Sequence, residues 1–340
     1  MKLDRLKEIT DKYKPFYYKE VLKAVFFNLN ESFDEMTVLS KDLREELKTD
    51  CSVDIVSELF NSSDGKTSKA LISFNDKLSI ETVLMAHEKH NTVCVSTQIG
   101  CALGCAFCAT GKMGLKRDLT AFEIVEQVIF WQRELKKRNK KVDNIVFMGM
   151  GEPFLNYENV ISAIEMIKGI CKIGARHISV STVGVIDKIL LFAQDEPQVN
   201  LAISLHASND AVRSQMIPAN KKWGLHGILE AVDEYIYKTN RQVMFEYLMI
   251  EGVNDSADQA HDLVKLMKSN RLYVVNLIKY NQTGSYNSSS RDRMDEFREI
   301  LEKNRVKITQ RYSFGQDIKA ACGQLVGNKK LEIRVLSSGL

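Results

Sequence analysis

The chain has 340 residues, of which 44% are hydrophobic and 27% are charged, the composition of an ordinary globular protein. The length suits one large domain with an appendage or two modest domains, and no run of about 18 apolar residues predicts a membrane span. The N-terminus has no apolar segment typical of a secretory signal, so we expect a cytoplasmic protein. In that compartment the seven cysteines are more often ligands or catalysts than disulfides. The net charge of +3 is too small to indicate a nucleic-acid partner by itself.

Residues 1–86 have the pattern of a separate, mostly helical unit. Apolar residues around Leu6 and Leu43 recur at helical spacing. A short β-rich patch over 70–74 and 82–85 closes the segment. We therefore expect an N-terminal helical accessory domain over 1–86.

From residue 92 onwards, strand patterns alternate with helix patterns. Thr120 and Glu123 mark the start of the first helix, because they form a capping box ahead of an apolar run. The alternation predicts an α/β protein with a parallel sheet, either doubly wound or curved into a full or partial barrel. In either architecture, functional residues gather at the carboxyl ends of the strands. The predicted strands cover 92–98, 143–149, 177–183, 200–206, 242–250, 272–280 and 307–313, and the predicted helices cover 120–138, 159–171, 185–194, 224–239, 256–269 and 290–303.

Three cysteines follow the first of these strands in the pattern C-x3-C-x2-C: Cys101, Cys105 and Cys108. Thiolates suit zinc and iron–sulfur clusters. A structural zinc ion would need a fourth ligand, whereas three cysteines on an iron–sulfur cluster would leave one iron open to a small molecule. Nearby candidates for a fourth zinc ligand are Cys94, His87 and His90.

The C-x3-C-x2-C spacing is also the motif of the radical S-adenosylmethionine (SAM) superfamily, which uses such an open iron. Phe107, directly before the third cysteine, adds to this resemblance. The segment Gly-Met-Gly-Glu152-Pro153 after the second strand resembles the superfamily motif that holds the amino group of SAM. Glycines allow close approach of the backbone, and a carboxylate complements an ammonium group.

Further motifs narrow the resemblance to the RlmN/Cfr family of adenosine methyltransferases. They are CVSTQIGC from Cys94, SVST from Ser179, SLH from Ser204, GVND from Gly252 and AACGQL from Ala320, and the resemblance extends from about residue 33 to residue 327. It implies a partial (β/α)6 radical SAM barrel over 87–315, an accessory domain that helps to hold RNA, and a C-terminal tail over 316–340.

The resemblance also implies roles for individual residues. Cys101, Cys105 and Cys108 would ligate a 4Fe–4S cluster. Cys322 would carry a methyl group, Cys94 would be its partner thiol, and Glu81 would accept a proton. The SAM contacts would be Gly151, Glu152, Ser181, Ser204, Leu205, His206 and Asn281.

Carbon 2 of adenine is not nucleophilic, so simple polar transfer of the SAM methyl group to it is expected to fail. The family uses two SAM molecules: the first methylates the Cys322 thiolate by displacement, and reductive cleavage of the second gives a radical that takes a hydrogen from that methyl group. The resulting methylene adds to the adenine, and Cys94 resolves the covalent RNA–Cys322 adduct, with Cys94 or Glu81 as base. The implied partners are 23S rRNA, at an adenosine of the peptidyl-transferase centre, tRNA, at the adenosine 3′ of the anticodon, and a flavodoxin-type electron donor.

Three alternatives stay open at this stage. Gly-Glu152-Pro153 has the RlmN form, whereas Lys279 stands where many RlmN proteins have proline, so we favour methylation at C2 over the C8 methylation of Cfr. A non-catalytic, zinc-stabilised RNA-binding protein would use the three clustered cysteines and His90. A radical SAM enzyme with another substrate is the third alternative.

A basic run between residues 133 and 141 is the best candidate for contact with RNA phosphates, although such a run also suits a solvated helix end. We expect a monomer that does not associate with a membrane. The run consists of Arg133, Lys136, Lys137, Arg138, Lys140 and Lys141.

Overall fold

A computed structural model of the chain describes residues 3–284, 286–311 and 314–327. Three short helices come first: α1 (Leu3–Tyr13), α2 (Phe16–Phe26) and α3 (Lys41–Asp50). Pro15 separates the first two, because proline cannot continue a helix through its interior. The three helices bury their apolar faces against one another and against the core.

Within the described residues, ten strands form one sheet, and two short strands, β5 (Gln98–Ile99) and β6 (Arg117–Asp118), form a separate ribbon. The sheet begins with three antiparallel strands, β1 (Ser57–Asn61), β2 (Thr67–Ser73) and β3 (Ser79–Ala86). Strand β4 is antiparallel to β3 and starts the parallel part. The parallel strands are β4 (Asn91–Cys94), β7 (Asn144–Phe147), β8 (Ile178–Thr182), β9 (Asn200–Ser204), β10 (Val243–Met249), β11 (Tyr273–Lys279) and β12 (Ile308–Arg311).

The parallel strands lie side by side in chain order, from β4 to β12. A doubly wound sheet would reverse its strand order at one point. Of the two architectures that the sequence left open, the structure therefore has the barrel. Residues from β3, β4, β8, β9, β10 and β11 line a single cavity, which requires a strongly curved sheet. In the described residues β1 and β12 do not pair, so the barrel is partial, as the family resemblance implies.

Helices alternate with the parallel strands as predicted, and the Thr120–Glu123 capping box is present. Strand 92–98 was predicted too long, because the ladder breaks between Cys94 and Gln98, and residues 312–313 of the last predicted strand lie outside the described residues.

Among the described residues, no helix is both long and apolar enough to cross a membrane. The remaining helices are α4 (Ala109–Lys112), α5 (Ala121–Lys136), α6 (Tyr157–Gly169), α7 (Ile186–Asp195), α8 (Asp210–Met216), α9 (Leu225–Thr239), α10 (Ala257–Met267) and α11 (Arg291–Lys303).

The sheet crosses the predicted boundary between the accessory domain and the core. Strand β3 pairs with β4, so that Val83 lies opposite Cys94. Strands β1 to β3 therefore extend the core sheet, and the helical part of the first 86 residues ends at α3. Residues 328–340 of the predicted tail lie outside the described residues.

The buried Arg133 side chain ties the N-terminal segment to helix α5. Its guanidinium donates hydrogen bonds to the carbonyls of Val53, at 3.0 Å, and Asn30. The interpretation of Arg133 as an RNA contact is therefore wrong, because a buried guanidinium held by two carbonyls does not reach a phosphate. Lys137, in contrast, is exposed and pairs with Glu134.

We expect Arg133→Met to lower the free energy of unfolding by about 2–4 kcal/mol, because two backbone carbonyls lose a charged donor. Lys137→Met, on the same helix end, is the matched control and should change it by less than about 0.5 kcal/mol. Urea unfolding of both variants measures the difference. Equal effects would show that Arg133 does not anchor the N-terminal segment.

Candidate functional site

A cavity opens at the carboxyl ends of the parallel strands, the edge at which the sequence predicts function. It encloses about 1350 Å³, including its open mouth. Most of the predicted site residues line it, whereas Glu81 and Leu205 do not. The predicted site residues in the lining are Cys94, Cys101, Cys105, Cys108, Gly151, Glu152, Ser181, Ser204, His206, Asn281 and Cys322.

The loop from Cys101 to Cys108 follows strand β5 and presents its three thiols to the cavity. The backbone N–H of Cys101 donates to the carbonyl of Gly114 at 3.2 Å, which fixes the start of the loop. Gly100 has a φ of +79°, and a Cβ there would lie 1.8 Å from the Gly114 oxygen. Only glycine allows this close approach, and it sets the direction in which the cysteine loop leaves the strand.

The donor set fits an iron–sulfur cluster better than a single ion. In the part of the chain that the structure describes, no group of three or more His, Cys, Asp or Glu side chains is arranged around one metal ion. In a cluster each thiolate binds a different iron, so the sulfurs can stand further apart. Burial raises the pKa of Cys101 to about 12 and raises that of Cys105 as well, so a metal centre would be needed to hold both as thiolates.

His90 does not complete a zinc site with these thiols. Its ring stacks on His87 with 4.3 Å between the centroids. The His87 ring in turn packs edge-on against Phe314, and neither histidine belongs to the cavity lining. The zinc site with a histidine as its fourth ligand is therefore not assembled by the described residues.

Glu152 is a buried carboxylate in the segment that follows strand β7. One oxygen accepts a hydrogen bond from the N–H of Phe154 at 3.0 Å, and the other accepts one from Val183 at 2.9 Å. Burial nevertheless raises the pKa of Glu152 to about 7, against the effect of these donors. A cationic amino group beside this carboxylate would be strongly favoured, because it would compensate the buried negative charge.

Two glycines before Glu152 allow strand β7 to approach the segment after β4. A Cβ on Gly149 would lie 2.6 Å from the Ser96 hydroxyl. Gly151 has a φ of +100°, and a Cβ there would lie 2.6 Å from the Cβ of Gln98. Because neither side chain would fit, the two glycines let the Glu152 N–H reach Gln98 Oε1 at 2.8 Å.

His206 is neutral and has a defined orientation. Its Nδ1 accepts a hydrogen bond from the Leu248 N–H at 3.1 Å, so the proton is on Nε2. Burial, aided by the charge of Arg213, lowers the pKa of His206 to about 3. The ring packs edge-on against Phe107, 4.9 Å between centroids, and so links the end of β9 to the cysteine loop.

Arg213 on helix α8 holds the ends of two strands that line the cavity, and the sequence analysis did not identify it. Its guanidinium is fully buried and donates to the carbonyls of Val183 at 2.6 Å, Ser204 at 3.0 Å and Leu205 at 3.0 Å. Leu205 therefore supports the site through its backbone. No helix was predicted over Asp210–Met216, and an arginine in a short helix is usually exposed.

Residues 314–327 run across the mouth of the cavity and bring Cys322 to it. The Asn281 amide donates to the Cys322 carbonyl at 3.4 Å, and the Thr110 hydroxyl donates to the Leu325 carbonyl at 2.7 Å. Cys322 is exposed, whereas Cys94 on β4 is buried, and both line the cavity. The structure thus brings two cysteines that are far apart in sequence to the cavity that the three clustered cysteines share.

Glu81 lies on β3, beside the cavity and outside its lining. Its carboxylate pairs with Lys69 at 3.0 Å and accepts a hydrogen bond from the Val326 N–H at 2.7 Å. The role of Glu81 as a proton acceptor stays a prediction. Lys69 was not identified from the sequence, because it follows Ser68 and stands one residue before the predicted β-rich patch over 70–74.

The raised pKa of Glu152 predicts how stability depends on pH. Between pH 4.5 and 7 the unfolded chain loses the Glu152 proton while the folded chain keeps it, so this contribution to stability falls as the pH rises. Glu152→Gln removes the titration. In the protein free of cluster and SAM, the wild-type free energy of unfolding minus that of the variant should therefore decrease across this interval.

Urea unfolding at several pH values measures this difference. Glu165→Gln is the control: the exposed Glu165 has its pKa lowered by a hydrogen bond from Lys168, so its contribution should not fall as the pH rises. A wild-type-minus-Glu152→Gln difference that is independent of pH would contradict the assignment of a raised pKa to Glu152.

Comparison with known proteins places the chain among radical SAM enzymes. Residues 95–264 match the sequence profile of the Radical SAM superfamily. The chain is 46% identical to the "Probable dual-specificity RNA methyltransferase RlmN" of Dictyoglomus turgidum, over 86% of this chain and 84% of that protein. It is 43% identical to the protein of the same name from Bacillus subtilis, over 95% and 91%. The crystal structure of a radical SAM methyltransferase from Sphaerobacter thermophilus matches with a TM-score of 0.92 and 40% identity, over 96% of this chain and 98% of that chain.

Proposed function

This chain belongs to the RlmN family of the radical SAM superfamily, and we propose that it methylates C2 of an adenosine in 23S rRNA and of the adenosine 3′ of the anticodon in tRNA. The chain is a radical SAM RNA methyltransferase. Beyond this, we propose which atom is methylated, which two RNAs are substrates and which residues take part. The observation that supports it best is that Cys94 and Cys322 share one cavity with Cys101, Cys105 and Cys108. A radical SAM enzyme without a methyl-carrying thiol would not need the additional pair.

The three clustered cysteines would hold a 4Fe–4S cluster, which when bound supplies the electron for reductive cleavage of SAM. Glu152 would bind the amino group of SAM, since its buried carboxylate favours a cation. Ser181 and Ser204, with 3.3 Å between their hydroxyl oxygens, and the Nε2–H of His206 would offer hydrogen-bond donors to the rest of the molecule. The apolar remainder of the lining would limit the access of water to the bound SAM.

Cys322 would accept the methyl group at sulfur. The carbon of that group, after losing a hydrogen atom to the SAM-derived radical, would form the bond to the adenine ring. Its exposed position at the cavity mouth suits a residue that must meet both SAM and RNA. The adduct would then lose the ring proton of the methylated carbon to Cys94 or Glu81 and one electron to the bound cluster, which leaves a closed-shell thioether between Cys322 and the adenine. The Cys94 thiolate would attack the Cys322 sulfur, so that a disulfide forms and the sulfur–carbon bond breaks, and the released carbon would take up a proton to become the methyl group.

The RNA must deliver a single base into this cavity. A base in a single-stranded loop leaves its stack at low cost, which favours loop adenosines as substrates. Of the predicted basic run, all members except Arg133 are exposed and would be available to phosphates: Lys136, Lys137, Arg138, Lys140 and Lys141.

The proposal is tested by nucleoside mass spectrometry of rRNA and tRNA from a strain without this activity, with and without the gene restored. We expect 2-methyladenosine in both RNA fractions with the wild-type gene and none with Cys322→Ala. Appearance of 8-methyladenosine would mean Cfr-type specificity instead. RNA methylation by Cys322→Ala would overturn the role of Cys322, and a protein that is colourless after anaerobic isolation would overturn the cluster, because zinc gives no absorption near ~400 nm.

Cys94→Ser should accumulate a covalent adduct between the protein and RNA, because the hydroxyl cannot form the disulfide that releases the product. Denaturing gel electrophoresis with labelled RNA detects the adduct. Cys171→Ser is the control, since Cys171 lies outside the cavity lining and should leave product release unchanged. Normal multiple turnover by Cys94→Ser would contradict the proposed resolution step.

A further inference from the structure

Lys69 and Glu81 form an ion pair in the protein interior, beside the cavity rather than in its lining. Lys69 Nζ lies 3.0 Å from Glu81 Oε1, and each side chain is only 1% exposed. Taking both charges out of water costs several kcal/mol per ion, by order of magnitude, and lysine is one of the residues least often fully buried. Glu81 is a candidate proton acceptor in the proposed reaction, whereas Lys69 has no step in it. This buried lysine is therefore a candidate for a positioning role.

The strand register places this pair in line with Cys94. Lys69 on β2 lies opposite Val83 on β3, and Val83 lies opposite Cys94 on β4. Glu81 is two residues from Val83 and points to the same face, which makes it the diagonal neighbour of Lys69. The Phe60 ring lies 5.5 Å from Lys69 Nζ and covers the ammonium from β1.

Both members of the pair also bind the segment that carries Cys322. Lys69 Nζ donates to the carbonyl of Lys319 at 3.4 Å. The second oxygen of Glu81 accepts a hydrogen bond from the N–H of Val326 at 2.7 Å. Cys322 lies between these two points, so the pair holds the segment 319–326 on both sides of the cysteine.

We propose that Lys69 is a positioning residue: together with Glu81 it fixes the two flanks of segment 319–326 on the sheet and so sets the place of Cys322 at the cavity mouth. Lys69 pairs with one oxygen of the Glu81 carboxylate, and the other oxygen accepts the hydrogen bond from the Val326 N–H. Without Lys69, the Glu81 charge would be buried without its cation, and the Lys319 carbonyl would lose its donor. The inference rests on the proposed function only in giving Cys322 a chemical role.

Other contacts hold the opposite side of the segment and do not replace the pair. From the side of the cysteine loop and β11, the Thr110 hydroxyl, the Asn281 amide and the Ala109 N–H donate to the carbonyls of Leu325, Cys322 and Gly323, and the Gln324 amide donates to the Gln282 carbonyl. None of these contacts reaches the Lys319 carbonyl or the Val326 N–H. When the pair is removed, the carbonyl loses its donor and the N–H loses its acceptor. Loss of the pair should therefore loosen the segment without releasing it completely.

The test is hydrogen–deuterium exchange on the cluster-loaded enzyme, prepared anaerobically. In Lys69→Met, amides of segment 319–326 should exchange faster by about tenfold or more, while the parallel strands exchange as in the wild type. Lys168→Met is the matched control, because Lys168 pairs with the buried Glu196 at 2.8 Å far from the segment. Unchanged exchange of segment 319–326 in Lys69→Met, or an equal increase in Lys168→Met, would overturn the proposal.

A double variant, Lys69→Met with Glu81→Met, keeps the test decisive if the single variant folds poorly. It removes both contacts to the segment without leaving a buried charge, and such replacements are often tolerated. We expect the melting temperature to be retained and the exchange of segment 319–326 to rise as in the single variant. Wild-type exchange of that segment in the double variant would also overturn the proposal.

Turnover distinguishes a positioning role from a general loss of stability. In Lys69→Met we expect a lower kcat for RNA methylation, a lower yield of S-methylated Cys322 and an unchanged KM for RNA, because the segment and not the RNA surface is affected. An altered KM with normal Cys322 methylation would contradict the assignment. If Cys322→Ala still methylates RNA, the proposed function fails, whereas the exchange experiment still decides whether the pair anchors the segment.

Discussion

The concave face of an unclosed barrel is the constraint on which the rest of the structure depends. Strands β4 to β12 run parallel in chain order, so their carboxyl ends meet around one cavity, and in the described residues the sheet does not close on itself. Three added strands extend one edge, and residues 314–327 return across the mouth. The cavity wall is therefore assembled from residues between Val83 and Leu325, which are 242 positions apart in the sequence.

Burial sets the charges inside this cavity more than direct pairing does. The pKa of Glu152 is raised although two backbone N–H groups bind its oxygens, and the pKa of His206 is lowered until the ring is neutral. Arg213 is buried beside them, but its guanidinium donates to backbone carbonyls and to the amide oxygen of Asn220, not to a carboxylate. The interior thus offers an uncompensated carboxylate to a cationic ligand, while the neutral imidazole and the serines can donate hydrogen bonds without adding charge.

Local patterns predicted the elements well, because each depends on neighbours in the sequence. The capping box at Thr120, the alternation of strands and helices and the C-x3-C-x2-C loop all have short-range signatures. The functional role of Cys322 could be predicted only from the family resemblance. Lys69 and Arg213 were missed because a single cation in a strand or a short helix is usually exposed, and their burial depends on distant partners: the carbonyl that Lys69 binds is 250 residues away. Arg133 was misinterpreted for the same reason, since its partners belong to the N-terminal segment.

The return of residues 314–327 to the cavity has a consequence for the order in which the protein matures. Translation delivers the N-terminal helices, the sheet and the cysteine loop before the segment that carries Cys322. A nascent chain can therefore fold the concave face of the sheet and the loop with the three clustered thiols while it still lacks Cys322. The site becomes complete only when the last described segment has left the ribosome and docked against strands made some 250 residues earlier. Each molecule therefore becomes able to carry out the reaction only after synthesis of the segment that contains Cys322.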